Sequence, residues 1–157
     1  STKPKIEHVC TEYINPVWED RGNLIDSLER CSTLEQAFNF LQGNYTGFGG
    51  MGFMACQVIA DLKYTYVLDK ALDWWTWCHY GPGSKRGLNR VLDKPENSPP
   101  PPNFNEKVNE LGVLIRKKLP QLPPIHAQDV QNCLCEFSKY ERILWGEKGP
   151  KRRYPGI

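Results

Sequence analysis

Asp129, Asn132, Glu136 and Lys139 recur every three or four residues along "DVQNCLCEFSKYER". On a helix that spacing lines up two carboxylates, an amide and an ammonium on one stripe. Beside it run Val130, Cys133, Phe137, Tyr140 and Leu144. Such a stripe can hydrogen-bond the edge of a nucleobase, with Asn132 and Tyr140 as contacts, and Asp129 or Glu136 can act as a general base. The same pattern also describes an ordinary solvated helix face. The three histidines, His8, His79 and His126, form no recognisable catalytic pairing by spacing.

A second cluster, "GPGSKRGLNR" (81–90), combines glycines with Lys85, Arg86 and Arg90. Gly81 and Gly83 permit unusual φ values, and Ser84 is placed to cap the helix that follows. Lys85 and Arg86 then fall in its first turn, where cations oppose the helix dipole unless an anion is bound there. Gly81, Gly83, Ser84, Lys85, Arg86, Asn89 and Arg90 are accordingly the candidate phosphate contacts. The cluster is not a Walker A loop, and no machinery for a nucleoside triphosphate is visible.

A third stretch, "GFGGMGFMACQVIADL" (47–62), contains G-x-G-x-x-G at Gly47, Gly49 and Gly52. A dinucleotide-binding reading needs a strand before the glycines and a parallel sheet around them, and neither is predicted. Helix, glycine turn and helix instead match a helix-hairpin-helix, in which Gly49 and Gly52 let backbone N–H groups approach a DNA phosphate. A tight helix–helix turn without a ligand remains the alternative.

The elements that must hold these residues are helical. Apolar residues at helical spacing predict helices over 17–31, 34–43 (opened by a Ser32–Glu35 capping box), 53–62, 104–119 and 127–144. The stripes are Leu34, Ala37, Phe38 and Leu41; Phe53, Cys56, Ile59 and Ala60; and Val108, Leu111, Leu114 and Ile115. Segments 69–77 and 84–92 are shorter helix candidates. "KYTYVL" (63–68) resembles a strand, but one strand makes no sheet. "PENSPPPP" (95–102) predicts a proline-rich surface loop. Tyr45, Trp74, Trp75 and Trp77 are assigned mainly to the core, with one able to stack on a base. The expected fold is all-α, and 157 residues suggest one domain, 1–157.

The net charge of +2 is uneven: residues 81–94 carry +3, residues 137–157 carry +4, and the rest carries −5. Two basic patches on an acidic body suggest a polyanion partner. No apolar run approaches the roughly 18 residues of a membrane span, and "STKPKIEHVC" lacks the apolar core of a signal peptide. The six cysteines show no C-x-x-C pair. Reduced thiols in an intracellular compartment are therefore expected, with no metal and no cofactor.

Taken together, "GFMACQVIADL", "GPGSKRGLNR" and "DVQNCLCEFSKYER…GEKGPKRRYP" resemble the helical domain associated with 5-hydroxymethyluracil DNA kinases. They also resemble the related α-glutamyl/putrescinyl thymine pyrophosphorylases of DNA-hypermodifying phages. The resemblance spans roughly 15–155, with Gly49-Gly50-Met51-Gly52 departing from the expected hairpin spacing. It implies a compact helical domain resembling helix-hairpin-helix DNA glycosylases, acting on modified thymine in double-stranded DNA and flipping the base. In such pathways a hydroxymethyl group on uracil is phosphorylated and the ester is then displaced by an amine. On that resemblance Lys85 and Arg86 hold phosphate, Asp129, Asn132 and Glu136 serve the base or the incoming amine, and Asp61 is a further candidate. It places the chain in the cytoplasm of an infected bacterial host, or in a nucleus if the source is eukaryotic. A glycosylase using Asp69 or Asp73, a non-catalytic reader of modified DNA, and the docking part of a larger kinase remain open alternatives.

Overall fold

The computed structural model describes residues 4–147, and every regular element among them is helical. No helix among the described residues is long and apolar enough to cross a membrane. The chain divides into two units, residues 1–79 and 80–157.

In the first unit, α1 (Lys5–Val9) runs through a π-helical stretch (Cys10–Ile14) into α2 (Asn15–Glu19). Pro16 has no N–H to donate to the carbonyl four residues back, and the coil widens just before it. A break at Asp20 separates α2 from α3 (Arg21–Glu29), so the predicted helix over 17–31 is two helices. Next come α4 (Leu34–Asn44), a 3-10 turn (Thr46–Phe48) and α5 (Phe53–Leu62).

The core follows from the α4 stripe: Leu34, Ala37, Phe38 and Leu41 are all buried, as their spacing predicts. Leu28 of α3 packs into the same core, and Tyr45 closes it, its hydroxyl donating to Asp20 Oδ2 at 2.6 Å. That bond helps raise the Tyr45 phenol to about 12, although burial is the larger cause. On α5 the buried face is Ala55, Cys56 and Ile59, whereas Phe53 is exposed. The predicted stripe is thus displaced at its start, because Gly52 turns the chain just before Phe53. Gly52 has φ +72°, and a Cβ there would lie 2.6 Å from Phe38 Cζ. Only glycine meets both demands.

Two predicted elements are absent. Residues 63–77 form neither a strand nor a helix but a succession of turns, closed by bonds such as Thr65 N–H to Leu62 O and Trp74 N–H to Ala71 O. The alternation in "KYTYVL" has no partner strand to pair with, so the backbone satisfies itself locally. These turns return Leu68, Ala71 and Trp77 to the core.

The start of α4 also differs from expectation. Its cap is Thr33, not Ser32: Thr33 Oγ1 accepts from Gln36 N at 3.1 Å, and Gln36 Oε1 accepts from Ser32 N at 2.8 Å. Asp73, from the turn region, accepts from Leu34 N at 2.6 Å and Glu35 N at 3.2 Å. One carboxylate therefore satisfies two helix-end donors and meets the positive end of the dipole.

The second unit contains α6 (Pro82–Val91), α7 (Phe104–Lys118) and α8 (Ala127–Leu144). Phe104, Val108 and Gly112 form the buried face of α7, while Leu114 is exposed. Between α6 and α7 runs the proline-rich loop, which lies at the surface as expected except for the buried Pro101.

Replacing Asp73 with Ala is expected to destabilise the first unit by about 1–2 kcal/mol, since two α4 N–H groups lose their acceptor. Denaturant unfolding of wild type and D73A tests this; an unchanged midpoint would show that the carboxylate does not cap α4.

Candidate nucleic-acid interface

The residues of "GPGSKRGLNR" and "DVQNCLCE" are brought together, because α6 packs directly against α8. Their meeting point is glycine-dependent. A Cβ on Gly87 would lie 2.1 Å from the Leu134 carbonyl oxygen, and one on Gly83 would lie 3.0 Å from Cys135 Sγ. Neither Gly81 nor Gly83 has a positive φ. The φ freedom that glycine permits is not used at either position, and Gly83 serves close helix approach.

The helix also starts earlier than predicted. Gly81 is the N-cap and Pro82 the first helical residue, so Ser84 sits inside the first turn. Its hydroxyl accepts from Gly81 N at 3.0 Å and from Gln131 Nε2 at 3.1 Å, and donates to Gly81 O at 3.2 Å. One donor and two acceptor positions are the whole capacity of a hydroxyl. Ser84, a candidate phosphate contact, is fully buried and links α6 to α8 through Gln131. Lys85 and Arg86 move correspondingly to the fourth and fifth helical positions, behind Pro82, Gly83 and Ser84.

Asn89 is likewise buried, its amide donating to Ser98 O at 2.9 Å and Glu96 O at 3.3 Å. Arg90 reaches both Glu96, at 2.8 Å, and Glu147, at 2.6 Å. These two candidate DNA contacts instead pin the proline-rich loop and the chain beyond α8 to α6. Hydrogen bonding and charge from Arg90 hold the Glu147 carboxyl below its ordinary range. Lys85 and Arg86 keep partial exposure, and the Arg86 Nε is buried with no hydrogen-bond partner.

On α8 the buried face is Ala127, Val130, Gln131, Leu134 and Ser138. Cys133, Tyr140 and Leu144, expected beside the stripe, are exposed instead. Asn132 and Glu136 also face solvent, Glu136 in an ion pair with Lys139 at 2.5 Å. Asp129 stands apart from that stripe in its contacts. Its Oδ2 accepts from His126 N at 3.0 Å and lies 2.8 Å from His126 Nδ1, forming the opening of α8. Sequence inspection missed this histidine–carboxylate pair, although the three-residue spacing was its signal.

The remaining candidates lie in the first unit. Gly49 is exposed and Gly52 buried in the turn between α4 and α5, with exposed Met51, Phe53 and Met54 around the α5 start. Asp61 and Asp69 are exposed, and Asp73 is occupied as the α4 cap. Trp77 and Tyr45 are core residues as expected, whereas Trp75 is half exposed.

By sequence pattern Lys63 belongs to the strand-like "KYTYVL". It continues the buried face of α5, is 2% exposed, and places its Nζ 4.4 Å from the Trp74 ring centre and 5.3 Å from that of Tyr64. Burial and nearby Cys56 push the Cys78 thiol upward, and the Lys63 charge partly offsets this. The basic residues Lys148, Lys151, Arg152 and Arg153 of the second basic patch lie outside the described residues.

Two comparisons return no match: no curated protein and no solved structure matches the chain. The family model described as "5-hmdU DNA kinase, helical domain" does match, over residues 7–149. The chain belongs to that family.

Gly87→Ala is expected to destabilise the second unit by about 3 kcal/mol, because the new methyl meets backbone rather than a movable side chain. Gly112→Ala is the control: its Cβ would meet Val130 Cγ2 at an ordinary 3.5 Å, so improved helix propensity should leave stability unchanged or raised by up to about 1 kcal/mol. Equal effects in thermal unfolding would contradict the close contact at Gly87.

The Arg90–Glu147 pair makes a pH prediction. A carboxyl held low contributes stability above its unfolded value and loses it as pH falls through its folded value. Arg90→Gln should return the Glu147 titration, followed by carboxyl carbon NMR, upward to the ordinary glutamate range; no change would dissociate the pair.

Proposed function

We propose that this chain is the DNA-engaging helical module of a system that modifies thymine-derived bases in DNA, with phosphoryl transfer performed by a kinase domain or partner. Family membership over residues 7–149 carries the reading. It is supported by the chain's lack of a recognisable P-loop: the glycine clusters follow neither Walker A spacing nor a strand.

On this reading the partner is double-stranded DNA containing 5-hydroxymethyluracil or a phosphorylated derivative, and the target base leaves the stack to be read. Lys85 and Arg86 are the phosphate contacts that retain exposure on α6. Asn132, Glu136 and Tyr140, on the solvent side of α8, are the proposed base-contacting groups, with Asp129 oriented through His126. In the first unit the exposed Gly49 is the proposed point of backbone approach, in a turn used as in helix-hairpin-helix glycosylases. Asp61 is exposed but has no partner-oriented geometry that favours a catalytic role over a solvated one.

Duplexes with and without 5-hydroxymethyluracil, compared at fixed salt, test this function. Tighter binding to the modified duplex is expected, without strand breaks after alkali. Equal affinity would reduce the chain to a general DNA binder, and breaks would indicate glycosylase action. Lys85→Ala should weaken binding to both duplexes and reduce the logarithmic salt slope by about 1.

A further inference from the structure

A second groove, of about 540 Å³, opens in the first unit between the end of α3 and the turns that follow α5. Its volume is within the roughly 300–1,000 Å³ usual for small-ligand sites. Arg30 and Ser32 contribute to one wall, and Tyr66, Val67 and Lys70 to the other. The walls are tied by the bond from Leu72 N to Ser32 O at 2.9 Å. Unlike the apolar groove lined by Tyr13, Trp18 and Phe48, this one has a substantially polar lining.

Three features set its chemistry. Arg30 and Lys70 are exposed, and neither forms an ion pair among the described residues. Glu29 also borders the groove, so the two cations exceed the local carboxylate by one charge. Tyr66 is 72% exposed, leaving its ring available instead of packing it in the core. An aromatic face beside cations suits a nucleotide: the base stacks on the ring and the phosphate meets the charges.

We propose that this groove binds one nucleotide of a single-stranded or locally opened DNA strand, with Tyr66 stacking on the base and Arg30 and Lys70 contacting phosphate. The choice of polymer rests on the DNA reading above; the nucleotide chemistry rests on the groove. A strand that has released a base from its duplex provides such a nucleotide, whereas closed duplex keeps its bases stacked.

Binding of the full chain to an oligothymidylate and to free thymidine 5′-monophosphate, measured by fluorescence anisotropy and NMR shifts, tests this. The oligothymidylate should bind more tightly than the mononucleotide, with the shifts centred on Tyr66. Arg30→Ala/Lys70→Ala should weaken oligothymidylate binding roughly tenfold and reduce the logarithmic salt slope by about 0.7, the amount for one phosphate neutralised on a single strand. Tyr66→Ala should weaken it roughly tenfold, whereas Tyr66→Phe should retain it. All three positions are exposed, and circular dichroism should show unchanged folding. No oligothymidylate binding by wild type, or equal binding by the double variant, overturns the groove. Failure to prefer modified duplex, with these effects intact, counts against the proposed function and leaves the groove standing.

Discussion

The second unit depends on a close approach between two backbones. At Gly87 the surface of α6 comes so near the Leu134 carbonyl that no side chain fits. This proximity places Ser84 against Gln131 and lets two helices share a hydrogen-bonded polar seam. A buried hydroxyl or amide without a partner is costly, so the seam holds only when the helices are in this register. Asn89 and Arg90 extend the arrangement outward, fixing the loop beyond α6. The segment "GPGSKRGLNR" therefore encodes helix docking through Gly83, Ser84 and Gly87 and loop attachment through Asn89, and leaves Lys85 and Arg86 with partial exposure.

Much of the helical fold was legible because its buried faces recur at 3.6-residue spacing. Leu34, Ala37, Phe38 and Leu41 illustrate this: a local pattern is enough to identify their helix and its core side. Where the interactions are non-local, the pattern fails. Asp73 caps a helix whose first residues lie nearly forty positions earlier, at Leu34 and Glu35. Nothing in "DKALDWWTW" distinguishes such a carboxylate from one on a helix. Likewise "KYTYVL" has the alternation of a strand, but strand formation depends on a neighbour that the alternation cannot supply.

The candidate site divides along the same line. That α6 and α8 bear the polar clusters was readable from their composition, but the division between internal and outward-facing groups was not. Ser84 and Asn89 have the residue types of ligand contacts, yet their hydrogen bonds are made inside the unit. Glu136 and Asn132 remain on the surface because the buried face of α8 runs through Gln131, Leu134 and Ser138. A polar residue at a buried position breaks the hydrophobic pattern and shifts the apparent face, so the apolar series through Val130 and Cys133 does not mark the side that is buried.

The turns at 63–77 have a consequence that a regular strand or helix would lack. A strand would alternate its aromatics between two faces, and a helix would distribute them around an axis. Irregular turns instead send Leu68, Ala71 and Trp77 inward while leaving Tyr66 and Lys70 at a groove rim. Lys63 is treated differently from Lys70 within the same segment: its ammonium lies over the Trp74 ring, where the quadrupole compensates part of the lost hydration. The buried lysine thus contributes to the wall's organisation, and the exposed one retains charge for a ligand. In the proposed nucleotide groove, this separation leaves the cations and the Tyr66 ring on the surface while the core side of the same segment stays packed.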